Sequence, residues 1–105
     1  MSGATPVQAK SLLEAVVSGA ATSNELVAAV AGKKIVVHRI FFTLASSTTF
    51  QFKSAATALT GAMTGTEFKL DMSEYPWMKT AAGEALNLAL GAEEQCSGRI
   101  YYSTE

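Results

Sequence analysis

The chain has little of what most catalytic and metal-binding domains use: one cysteine, one histidine, one tryptophan and two prolines in 105 residues. A lone thiol, Cys96, cannot form an internal disulfide, and with one histidine beside it no zinc-ligand set can be assembled. Charge is sparse as well. Asp, Glu, Lys and Arg make up 16% of the residues, where an average soluble domain has roughly 25%. Eight basic residues face nine acidic ones, so the basic surface that nucleic acid requires is not expected. No apolar run approaches the roughly 18–20 residues of a membrane span, and no membrane partner is expected. Residues 1–8 lack a basic start and a long apolar centre, so they do not read as a secretory signal.

Catalysis needs a nucleophile, an acid or base and a charge-stabilising group brought together. His38 stands in the middle of an apolar run and reads as a packed or interface residue. There is no G-x-S-x-G elbow to set beside it. Cys96 reads as a buried, inert thiol. Gly32-Lys33-Lys34 lacks the upstream glycine of a phosphate loop, and Lys34 stands where a magnesium-binding hydroxyl belongs. Asp71, Glu74, Glu93 and Glu94 have no ordered ligand spacing and read as solvated loop charges. An enzyme is not expected, and no catalytic, cofactor-binding or metal-binding residue is assigned.

What the chain has is alanine, glycine, serine, threonine and short alternating runs. A lightly charged surface of small residues suits repeated contact with copies of itself or with a partner; equally, serine and threonine simply cover strands and turns. The strongest run is 34–45, KIVVHRIFFTLA, continued by 48–54, TTFQFKS. Val36, His38, Ile40, Phe42 and Leu44 fall on one face, and Ile35, Val37, Arg39, Phe41 and Thr43 on the other. Phe50 and Phe52 alternate with Thr49, Gln51 and Lys53. Period-2 alternation of β-branched and aromatic residues marks strands, and Ser46-Ser47 reads as the turn of a central hairpin. Phe42, Phe50 and Phe52 are the expected core.

Further strands are expected at 11–18, 24–30, 66–72, 77–80, 84–90 and 96–103. The first also has helical spacing at Leu12, Leu13, Val16 and Val17, but its length favours a strand. Ala31-Gly32-Lys33 and Ala81-Ala82-Gly83 read as tight turns, with Gly32 able to take positive φ. Short strands at regular spacing predict an all-β fold: a two-sheet antiparallel sandwich, jelly-roll-like, of roughly eight strands. Residues 1–10, with Gly3 and Pro6 and no pattern, form a short N-terminal arm, and 11–105 a single β-sandwich domain. Trp77 follows Pro76 at a strand start and, with Tyr75, Tyr101 and Tyr102, offers either a rim of contact aromatics or a plug for the core. The candidate interface residues are Pro6, Val7, Tyr75, Trp77 and Tyr101.

The segments ELVAAVAGKKIVV (25–37), FQFKS (50–54), ALTGAM (58–63) and WMKTAAGEALNLAL (77–90) resemble a family of small phage virion proteins of the head decoration (cement) or head-fibre type. The approach to Trp77, SEYPW, is shorter and more acidic than that family's glycine-rich loop. The resemblance implies a jelly-roll or sandwich fold and a protein that binds and stabilises the outer head surface. It also implies two partners, the major capsid protein and copies of itself, with a trimer as the assembly. The expected location is then the virion surface, after synthesis in the host cytoplasm. The alternative is a receptor- or carbohydrate-binding module on a tail or fibre. No cofactor is implied.

Overall fold

The alternating run that opens at Ile35 does not turn at Ser46. In the computed structural model, which describes residues 12–72, 75, 76 and 78–105, it forms one continuous strand, β3 (Ile35–Ser54), of 20 residues. The chain reverses at Ala55-Ala56, where Ala55 takes a φ of 52°. It returns along β3 as β4 (Thr57–Ala58) and β5 (Met63–Asp71). The expected hairpin of 34–45 with 48–54 is therefore not formed: the two runs are one strand, and the reversal lies beyond the second aromatic run. Ser46 and Ser47 are instead the exposed corner at which β3 bends. The register of β3 against β5 slips there, from Thr43 opposite Glu67 to Thr48 opposite Gly65. Extra residues on one strand of a pair bend it, and two small hydroxyls at the corner serve that as well as they would a turn.

The remaining strands are β1 (Leu13–Gly19), β2 (Ser23–Val27), β6 (Leu86–Leu90) and β7 (Cys96–Thr104). All pairings among named strands are antiparallel. β7 takes the first half of β3 and β6 takes the second, while β5 runs along the opposite edge of both halves. β1 is added to β7, and β2 to β6, giving one seven-stranded sheet with the path β1-β7-β3-β6-β2. The ends of that path, β1 and β2, lie beside each other. Asn24 ties their connection together, its side chain accepting from Ala21 N at 3.2 Å and donating to Ala21 O at 2.7 Å.

This corrects the expected two-sheet, jelly-roll-like sandwich. Its two layers are halves of a single sheet, nearly closed and barrel-like, because β3 and β5 pass through both without a break. The ends of β3 come back together: Thr80 N donates to Ile35 O at 2.9 Å, and the next residue, Ala81, donates to Ser54 Oγ at 3.0 Å. The expected strand at 77–80 is reduced to a bridge between Val36 and Lys79. The two alanine-glycine turns hold positive φ at Gly32 (72°) and Gly83 (77°). They also touch, with Gly83 N donating to Lys33 O at 2.8 Å.

The core fills the inside of this roll. Phe42 lies at its centre, with ring centroids 5.3 Å from Phe50, 6.1 Å from Phe52 and 5.8 Å from Phe68. Val17, Ile40, Leu86, Leu88, Cys96 and Ile100 complete it. The expected burial of Phe42, Phe50 and Phe52 is found, as are strands at the ambiguous 11–18 stretch and at the C-terminal run.

One buried polar contact closes the seam. Thr80 is 2% exposed, and its Oγ1 accepts from Ile35 N at 2.8 Å. Valine has the same shape but no acceptor. Thr80→Val is expected to cost about 1–3 kcal/mol, because the Ile35 N–H would be left buried without its partner. A lowered urea midpoint with an unchanged slope is the expected readout.

Candidate functional site

The outer surface of β1, β7, β3 and β5 carries the candidate site. A bulge decides which side chains reach it. Between Val37 and Arg39 the register against β7 slips by one residue, so that His38 is the extra one. A one-residue slip exchanges the faces. Ile35 and Val37 therefore join Ile40, Phe42 and Leu44 in the core, while Arg39, Phe41 and Thr43 face out. Simple alternation had put Ile35 and Val37 with Arg39, and Val36 and His38 with Ile40. His38 is half-buried, and its Nε2 lies 2.8 Å from Ser103 Oγ.

Two rows of side chains cross the four strands at this point. One runs Glu14, Tyr101, Arg39, Asp71, and the next runs Val16, Arg99, Phe41, Lys69. Phe41 is 48% exposed and Val16 65% exposed. An open depression of about 560 Å³ lies over this face, with Phe41, Leu70 and Tyr101 among its lining and Arg39, Lys69 and Arg99 around them. Arg39 Nε pairs with Asp71 Oδ2 at 3.2 Å, and Arg99 pairs with Glu14. All four side chains are well exposed, so these pairs are worth little for stability. They link the guanidinium groups of Arg39 and Arg99 to carboxylates on the neighbouring strands β5 and β1. The face thus has an apolar centre within a rim of mixed charge, the pattern of a protein-contact surface.

Of the expected interface residues, the structure brings Tyr101 into this face, in register with Arg39 and Glu14. Tyr75 is 82% exposed but lies in the connection after β5, outside the depression. Pro6, Val7 and Trp77 lie outside the described residues. Phe41, the centre of the face, was not among the expected interface residues. Its signal was present: Arg39-x-Phe41-x-Thr43 is a mixed face opposite the purely apolar Ile40-x-Phe42-x-Leu44.

Cys96 is fully buried, and desolvation pushes its thiol above the ordinary range. Among the described residues no group of three or more His, Cys, Asp and Glu side chains is placed to hold a metal ion. Compared with family profiles, curated proteins and solved structures, the chain finds no match.

Proposed function

We propose that this chain is a structural protein of a phage virion, a decoration protein that binds the outer head surface and stabilises it. The major capsid protein and further copies of itself are its partners. The observation that carries the reading is Phe41, half-exposed at the centre of a four-stranded face whose neighbours on β1, β7 and β5 are fixed by backbone pairing. Such a face loses little conformational freedom on docking. A modest apolar contact repeated over many copies adds up through multivalency, so no single copy needs high affinity. The resemblance of segments 25–37, 50–54, 58–63 and 77–90 to head decoration proteins is the second support for the reading.

The same aromatics support a second reading, a receptor- or carbohydrate-binding module on a tail or fibre. Phe41 and Tyr101 share a face and offer rings for stacking on sugars.

Truncating Phe41 separates function from folding. Phe41→Ala is expected to weaken binding to undecorated heads by about 10–30-fold, the effect of removing a central aromatic from an interface. Its melting temperature should stay close to that of the parent, because half of the ring is already in water. Co-sedimentation with purified undecorated heads reads the first quantity and a thermal melt the second. Binding of the parent to heads is the result expected. Failure to bind heads, together with selective retention on a glycan array, would favour the receptor module.

A further inference from the structure

β5 pairs with β3 along one edge and, among the described residues, with no strand along the other. The direction of its backbone groups can be read from one bond. Met72 N donates to His38 O at 2.8 Å, and residues 72 and 38 continue the register that sets Asp71 opposite Arg39. In an antiparallel pair such residues alternate with ones that bond away from the partner. Phe68 and Leu70 therefore direct their N–H and C=O groups to β3, and Glu67 and Lys69 direct theirs to the open edge. The side chains divide in the same rhythm. Glu67 and Lys69 stand exposed on the outer surface, while Phe68 and Leu70 pack against the core yet remain only half-buried.

We infer that this edge pairs with β5 of a second copy of the chain, antiparallel, with Phe68 on the two-fold axis. In that register Glu67 stands opposite the partner's Lys69, and Lys69 opposite the partner's Glu67. Both are outward-bonding positions, so each pair exchanges two backbone hydrogen bonds and also joins opposite charges across the strands. The two Phe68 rings meet on the core side, which covers the part that each monomer leaves exposed.

The charges also select against the alternatives. Centring the pair on Lys69 sets lysine against lysine and Glu67 against the partner's Asp71. Centring it on Glu67 sets glutamate against glutamate. Centring it on Leu70 makes two opposite-charge pairs as well, Lys69 with the partner's Asp71 and Asp71 with the partner's Lys69, but it draws on a carboxylate that Arg39 already holds at 3.2 Å and carries Glu67 off the end of the strand. Charges on an exposed edge usually block association altogether; here the register centred on Phe68 joins Glu67 and Lys69 in both directions and leaves Asp71 to Arg39. The edge is short and falls below the roughly 1,200 Å² of a stable interface, so association depends on concentration. This inference does not rest on the capsid reading, and it gives a dimer in place of the trimer that the family resemblance implies.

Sedimentation of the full chain between about 10 and 500 µM tests it. A monomer–dimer equilibrium is expected. Glu67→Lys and Lys69→Glu should each weaken dimerisation at least about 10-fold by placing like charges opposite each other. The combined exchange of both residues should restore it. A thermal melt of each variant verifies that these exposed changes leave the fold intact. A chain that stays monomeric at the top of the range, forms trimers, or dimerises independently of either charge overturns the inference. So does a combined variant as weak as the single ones.

Discussion

Gly98→Ala is expected to lose most of the folded population. Gly98 lies on β7 opposite Phe42 of β3. A Cβ placed on it would overlap the Phe41 carbonyl oxygen and lie 2.6 Å from Phe42 Cα and 2.8 Å from Phe41 C. These are backbone atoms of the most heavily paired strand, so no side chain can swing aside to make room. β3 is bonded to β5 and β7 along this stretch, and moving it would break one ladder or the other. The cost should be at least about 3–4 kcal/mol, above the ordinary range for overpacking because the obstacle is main chain. Against a total stability of roughly 5–15 kcal/mol that is severe, and it corresponds to a fall of roughly 15 °C in Tm for a domain of this size. Gly65→Ala is the matched control, since a Cβ there meets nothing within 4 Å. A Gly98→Ala protein that melts with the parent would mean that β7 and β3 do not approach this closely.

Phe42→Ala is the second large effect, expected at about 3–5 kcal/mol. Phe42 is 1% exposed and touches three other phenylalanines. Its edge-to-face contacts with Phe50 and Phe52, at interplanar angles of 84° and 69°, add to the apolar area lost. The rings also come from both halves of the folded-over β3 and from β5, so the cavity would open at the junction that holds the roll shut. Phe41→Ala, one residue away on the outer face, should cost only about 1 kcal/mol, because about half of the side chain is already in water. Urea denaturation of the two variants compares them directly. Equal midpoints would mean that the faces of β3 are assigned wrongly.

Much of this contrast was legible in the chain. Ile40-x-Phe42-x-Leu44 and Phe50-x-Phe52 read correctly as inward faces, because a buried strand face must be apolar at every second position. The glycine turns were legible for the same kind of reason: positive φ at Gly32 and Gly83 has few other tenants. The bulge at His38 was not. Nothing in the composition of Val36-Val37-His38-Arg39 marks one residue as extra, and the slip is set by how β7 must meet both ends of a bent strand. Phe41 was legible in part: its mixed face with Arg39 and Thr43 marked a side opposite the core, but only the neighbouring strands show that this side is open to water and centred on that ring.

The sequence alone therefore determined that this is a β protein, where most of its strands lie and which aromatics form its centre, since these follow from period-2 patterning and local backbone preference. Only the tertiary structure decided that Ser46-Ser47 is a bend within one strand, that the chain reverses at Ala55-Ala56, and that the layers are halves of one nearly closed sheet. A turn and a sharp bend draw on the same small residues. What distinguishes them is the partner: β5 follows β3 around the corner and pairs with it on both sides, and that is a contact between residues far apart in the chain.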